Sequence, residues 1–212
     1  MSYFAISKNL AGFLTEKAGL AHEKESILAY AIEMTVITLG NTLFTLLLAA
    51  LLGVLPGVLS CLVVVFLFRH TAGGAHSNSP WRCAAVTVTI YPAMALSAVY
   101  LAGLGAAFID ALSAVALLLG LSAIVVLAPV DSPSAPIISP YRRKKLKALS
   151  LAVFTLTAAA VVCLRQSDWV YASQIRVCLI LTVLWISFML GKPGHRLMCL
   201  VDRIKFKEVR DS

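Results

Sequence analysis

Cys83 and His76 stand seven residues apart, and His70 lies six residues before His76, in the run Arg69-His70-Thr71-Ala72-Gly73-Gly74-Ala75-His76-Ser77-Asn78-Ser79-Pro80-Trp81-Arg82-Cys83. An ionised cysteine is a nucleophile, and histidine is the side chain suited to take its proton near neutral pH. Gly73-Gly74 lets the backbone turn sharply and approach a substrate closely. Ser79 is a suitable N-cap and Pro80 suits a first helical position, so a helix is expected to start there. Cys83 then falls in the first turn, where free N–H groups and the helix dipole favour an anion such as a thiolate. Against this, a cysteine beside apolar segments often serves only as a small packing residue. His70, His76 and Cys83 are also a conceivable ligand set, but their spacings match no structural zinc pattern, and no metal or other cofactor is expected.

The elements that must hold these residues are membrane helices. Of the 212 residues, 60% are hydrophobic and 13% charged, which describes a multi-span membrane protein and not a soluble domain. The net charge of +8 does not indicate nucleic acid, because the charges flank apolar runs and no basic-aromatic module is visible. The other four cysteines, Cys61, Cys163, Cys178 and Cys199, lie in or beside apolar segments and suggest no disulfide framework. The whole chain, 1–212, reads as one polytopic domain.

Residues 1–20 lack the pattern of a signal peptide. Tyr3, Ile6, Leu10, Phe13, Leu14 and Ala18 recur at helical spacing, with Lys8 and Lys17 off that stripe. This predicts an amphipathic helix, lying in the membrane interface or packed on the other segments. Six spans follow, at about Ile27–Leu52, Val58–Phe68, Pro80–Ala102, Ala107–Val126, Leu146–Leu164 and Val170–Leu190. In the first, Thr38, Asn41, Thr42 and Thr45 make one polar face that helix packing explains best. The second is short for a bilayer core, even if begun at Val54, so either the bilayer thins there or part of the following loop lies below the membrane surface. Gly53 and Pro56-Gly57 mark the turn before it, and Pro92 predicts a kink in the third. Pro129, Pro133, Pro136 and Pro140 suggest a stiff extended linker, and Lys192–Ser212 a basic tail. Six spans place sixteen of the eighteen Lys and Arg on one side, which the positive-inside rule assigns to the cytoplasm, with both termini and the 69–83 loop. The expected fold is therefore an all-α integral membrane protein: about six transmembrane helices, an N-terminal amphipathic helix and a cytoplasmic-face Cys/His loop.

Arg69, then Gly73-Gly74-x-His76, then Cys83, resembles the motif of the accessory gene regulator B family of bacterial membrane cysteine endopeptidases. Ala128-Pro129, the proline-containing linker and the basic cluster Arg142-Arg143-Lys144-Lys145 agree with it, as does the hydropathy pattern over the whole chain. The resemblance implies that His76 and Cys83 are the catalytic pair, and that Arg69 and Gly74 are also required. It implies a small AgrD-like quorum-sensing propeptide as substrate, whose acidic C-terminal segment is removed to leave a thioester on Cys83. An internal cysteine or serine of the peptide then closes a thiolactone or lactone ring. A homodimer is a further implication.

On this reading His76 takes the Cys83 proton, with His70 the second choice of base and Asn78 or Glu33 weak candidates to orient the ring. Arg69 and N–H groups at the start of the third span are candidates for oxyanion support. Arg142, Arg143, Lys144 and Lys145 anchor topology, meet the lipid bilayer and attract acidic substrate; Glu33 is a further possible substrate contact. The alternative is a non-enzymatic transport or binding protein with His70, His76 and Cys83 lining a polar path.

Overall fold

The computed structural model describes residues 5–17, 23–77, 79–131 and 137–204. Among them there are helices and no strands: α1 (Ala5–Lys17), α2 (Glu23–Leu51), α3 (Leu55–Thr71), α4 (Pro80–Ala102), α5 (Ala106–Leu127), α6 (Pro140–Arg165), α7 (Ala172–Leu190) and α8 (Lys192–Arg203). Helices α2, α4, α5, α6 and α7 are long and apolar enough to cross a bilayer, and α3 is a shorter apolar helix. The protein is thus an all-helical, multi-pass membrane protein, as expected.

Helix α7 is the centre of the bundle, touching α3, α4, α5, α6 and α8. Its run Arg-Val-Cys-Leu-Ile-Leu-Thr-Val-Leu is apolar on nearly every side, the pattern of a helix enclosed by others. Of its apolar stretch 56% is buried in protein, twice the share of any other spanning helix. Small residues bring the neighbours close: a Cβ on Gly120 of α5 would overlap Val183 of α7 and touch Phe154 of α6.

The connections alternate between the two ends. At one end, Asp110 accepts hydrogen bonds from Arg165 at 2.8 Å and from the buried Arg176 at 2.6 Å; Arg176 also reaches Ser113 at 3.1 Å. At the other end, the loop after α3 meets the segment after α5 and the end of α7. The Val130 N–H donates to the Ala72 carbonyl at 2.9 Å, and the Ala75 N–H to the Met189 carbonyl at 2.9 Å.

Several sequence boundaries move. Helix α3 runs through Arg69 and His70 to Thr71, so its 17 residues span about 26 Å and the loop proper is 72–79. Positive residues in its last turn meet the negative end of the dipole, which favours that extension. Pro56 and Gly57 belong to its first turn, where a proline has no N–H to lose, and the preceding turn rests on Gly53. The basic cluster is helical too: Ser139 caps α6 by accepting the Arg142 N–H, so Arg142–Lys145 extend the fifth span outward. Pro133 and Pro136 lie outside the described residues. The helix α4 continues through Pro92, which is buried within it.

In α1, Ser7, Ala11 and Thr15 are buried, while Leu10, Phe13 and Leu14 stay exposed. Its small and polar face meets α2, and the apolar stripe found in the sequence points away from the bundle. Tyr3 and Ala18 of that stripe, and the side chain of Ile6, fall outside the described residues. In α2 the expected polar face divides. Thr45 is buried, Thr38 is exposed, and the Thr42 and Thr45 hydroxyls donate back to carbonyls of their own helix.

Candidate active site

Arg69 reaches the site from the last turn of α3, Cys83 from the first turn of α4, and His76 from the loop between them. One Arg69 nitrogen, Nη2, lies 2.6 Å from His76 Nδ1 and 3.4 Å from Cys83 Sγ. Two helices and a turn are needed to converge these groups, because the three residues are separated by seven positions each. They line one cavity of about 60 Å³, room for a few waters, closed by Tyr91 of α4, Trp185 and Met189 of α7 and Met198 of α8.

The loop keeps its shape through two glycines with positive φ, Gly73 at 74° and Gly74 at 125°. A Cβ on Gly73 would lie 2.5 Å from the Val130 carbonyl oxygen; one on Gly74 would meet only the Met189 carbonyl, at 3.5 Å. The stricter steric demand is therefore on Gly73, although the resemblance singled out Gly74. Both conformations are ones that side chains rarely adopt.

A guanidinium has only donors, so the lone pair on His76 Nδ1 must accept, and the neutral ring carries its proton on Nε2. Part of His76 is open to solvent, yet protein atoms crowd its ring and disfavour charge. Burial first, then the charge of Arg69, then that of His195, lower its pKa from 6.5 to about 4. At neutral pH the ring is uncharged. The positive neighbour of Cys83 is therefore Arg69 and not His76.

Ser79 occupies the N-cap of α4, but its side chain makes no capping bond. Its N–H instead donates to the Ser77 hydroxyl at 3.1 Å. The Cys83 N–H is already used, donating to the Ser79 carbonyl at 3.1 Å.

Other sequence candidates lie elsewhere. The His70 ring is 2.8 Å from the Phe66 carbonyl through Nδ1 and packs on the Phe66 ring at 4.4 Å, outside the cavity. The three-residue polar path of the alternative reading is therefore not assembled. No group of three or more His, Cys, Asp or Glu able to hold a metal occurs among the described residues. Glu33 is buried in α2 and does not line the cavity; Asn78 is outside the described residues. Arg143 pairs with Asp131, next to the Val130 strap, which brings the basic start of α6 to the same end of the bundle as Cys83.

The sequence reading missed helix α8. Met198 lines the cavity, His195 acts on His76, and Asp202 meets Ser77 and Arg82. The signal was present: Pro193 near a helix start, then Leu197, Met198 and Val201 at helical spacing, flanked by Arg196 and by Asp202 and Arg203. The run of basic residues through Arg210 masked it as a tail.

A polytopic helical membrane protein with an arginine joining a histidine and a cysteine at one end of its bundle is the class that these features define. The description Accessory gene regulator B matches residues 7–190, and the chain belongs to that family. It is 23% identical over 203 residues to the "Putative AgrB-like protein 2" of Clostridium perfringens (strain 13 / Type A), covering 93% of this chain and 95% of that one. It is 22% identical over 205 residues to the "Putative AgrB-like protein" of Clostridium perfringens (strain SM101 / Type A), covering 92% and 96%. No solved structure matches it. The family ties the protein to agr quorum-sensing peptide processing, with an AgrD-like propeptide and the membrane as partners.

Proposed function

We propose that the protein is a membrane cysteine endopeptidase that cleaves a quorum-sensing propeptide through an acyl-enzyme thioester. The observation that carries the proposal is the Arg69 guanidinium shared between His76 Nδ1 and Cys83 Sγ. The two contacts share one Arg69 nitrogen and keep Nδ1 within about 6 Å of the sulfur. An imidazolium beside a guanidinium is disfavoured, so His76 becomes an effective base only when Arg69 moves off it. A substrate supplies the reason for that movement, because a carbonyl oxygen gaining negative charge is a better partner for the guanidinium.

The steps then follow. Arg69 turns to the scissile carbonyl, and Nδ1 takes the Cys83 proton. The sulfur attacks the carbonyl carbon, the C–N bond breaks, and His76 returns the proton to the departing amine. The N-terminal fragment is left as a thioester on Cys83. An internal thiol or hydroxyl of that fragment attacks the thioester; its proton passes by way of His76 to the Cys83 sulfur, releasing a thiolactone or lactone. Exchange of one activated acyl bond for another retains the activation that hydrolysis would discharge.

The cytoplasm is the proposed side for this chemistry and for both termini. A six-span topology assigns sixteen of the eighteen Lys and Arg in the sequence to the side of the Cys/His loop. The exposed basic turn Arg142–Lys145 stands at that end to attract the acidic segment of the propeptide. The test is co-expression with an AgrD-like propeptide and mass analysis of the products. Cleavage is expected with the native chain and none with Cys83→Ala; cleavage by Cys83→Ala at the native rate ends the cysteine-peptidase reading.

A further inference from the structure

Helix α8 sends one carboxylate to both sides of the Cys/His site. Asp202 accepts a hydrogen bond from the Ser77 hydroxyl, 125 residues away in sequence, and a second from Arg82 Nη1 at 3.5 Å. Ser77 directly follows His76, and Arg82 directly precedes Cys83. Arg82 is held further by its other terminal nitrogen, which donates to the Ile204 carbonyl at 2.9 Å. The Arg82 and Asp202 side chains are only 22% and 16% exposed.

We infer that Asp202 is a positioning residue for the proposed peptidase, acting through Ser77 to hold His76 against the Arg69–Cys83 contact. The inference rests on the cysteine-peptidase reading. Residues 72–77 form no helix or strand, so their shape depends on individual anchors. Ala72 and Ala75 are tied by backbone bonds to Val130 and Met189. Beyond Ala75 the anchor is the Ser77 hydroxyl, which donates to Asp202 and accepts from the Ser79 N–H at the start of α4. His76 thus hangs between two fixed points, one given by α7 and one by α8. Without Asp202 the tie to α8 is lost and the Ser77 hydroxyl keeps only its bond from the Ser79 N–H, and a displacement of about 1 Å in a reacting group is enough to lose about 100-fold in rate. The ion pair itself is a single 3.5 Å contact and adds little as an attraction between charges.

The test compares Asp202→Ala, Asp202→Asn, Ser77→Ala and the Ser77→Ala/Asp202→Ala double variant by kcat and KM. The substrate is the AgrD-like propeptide that the native chain cleaves on co-expression, and each variant is purified in detergent. Size-exclusion elution and helical circular dichroism report the amount of folded protein. The amide oxygen introduced by Asp202→Asn can still accept from Ser77 without the charge. Asp202→Asn is therefore expected to keep kcat within about threefold of native, while Asp202→Ala lowers it about 10- to 100-fold with KM changed less than about threefold. Ser77→Ala is expected to show a similar loss, and the double variant no more than the worse single one, since one anchor is removed in each. Native kcat in Asp202→Ala, equal losses in the Asn and Ala variants, a change in KM alone, or additive losses in the double variant each overturn the positioning role. Cys83→Ala is run beside them. Activity there removes the peptidase reading itself, whereas an inert Cys83→Ala beside a fully active Asp202→Ala removes only the role of Asp202.

Discussion

The lowered basicity of His76 has a direct kinetic consequence. If the neutral ring is the form that accepts the Cys83 proton, the acid limb of kcat/KM follows its pKa of about 4, and not the ordinary 6.5. At pH 5 about 90% of His76 is then neutral, against about 3% for an unperturbed ring, a difference of about 30-fold in usable enzyme. The perturbation to apply is Arg69→Gln. Burial is the largest of three causes that all lower the value, so the guanidinium accounts for less than half of the fall. Its removal should bring His76 to no more than about 5. The same change removes the proposed oxyanion partner and is expected to lower kcat about 100- to 1,000-fold. The assay is a pH titration of the ring carbons by NMR in detergent, assigned by difference from His76→Gln, alongside kcat/KM from pH 4 to 8. Stability moves with the same proton. The folded value lies below the unfolded one, so between pH 6.5 and 4 the unfolded chain binds a proton that the folded chain does not. The contribution of His76 is therefore full above pH 6.5 and is lost as the pH falls through that window. A native His76 titrating near 6.5, or an acid limb there that disappears in His76→Gln, refutes the reasoning.

Three further outcomes are expected. His76→Ala should abolish cleavage, while His70→Ala keeps it within about threefold, because His70 is turned onto Phe66 and contacts nothing in the cavity; equal losses measured by product mass analysis would return His70 to the mechanism. Gly73→Ala should destabilise the protein more than Gly74→Ala, with strained φ at both positions at about 1–2 kcal/mol each and the overlap with Val130 added only at the first; melting in detergent reads the order. Arg142→Gln with Arg143→Gln should weaken propeptide processing at low salt and leave reporter fusions after Val126 and Ser212 cytoplasmic, while the exposed Arg143–Asp131 pair contributes less than about 1 kcal/mol to stability; unchanged processing would leave those residues as a topology anchor.

Much of this protein is written in its composition and periodicity. Apolar runs long enough for a bilayer leave the backbone no choice but helix, since every N–H and C=O must be satisfied within the segment. Pro80 after Ser79 set the start of α4 at the residue where the structure places it, and so fixed Cys83 in the first turn. The Arg69, His76 and Cys83 spacing carried the family resemblance that the match over residues 7–190 bears out. Local pattern had less hold on what depends on distant neighbours. The burial of α1 on its Ser7–Ala11–Thr15 face was hidden, because the apolar stripe dominates any helical projection. Helix α8 was hidden by its charges, though it supplies Met198 to the cavity and Asp202 to the loop. The decisive feature of the site belongs to the tertiary structure alone. Sequence spacing pairs a base with a nucleophile, but only the convergence of α3, α4 and the strapped loop brings one guanidinium against both. Its charge, added to the burial of the ring, is what leaves His76 neutral, and no count of residues along the chain contains that distance.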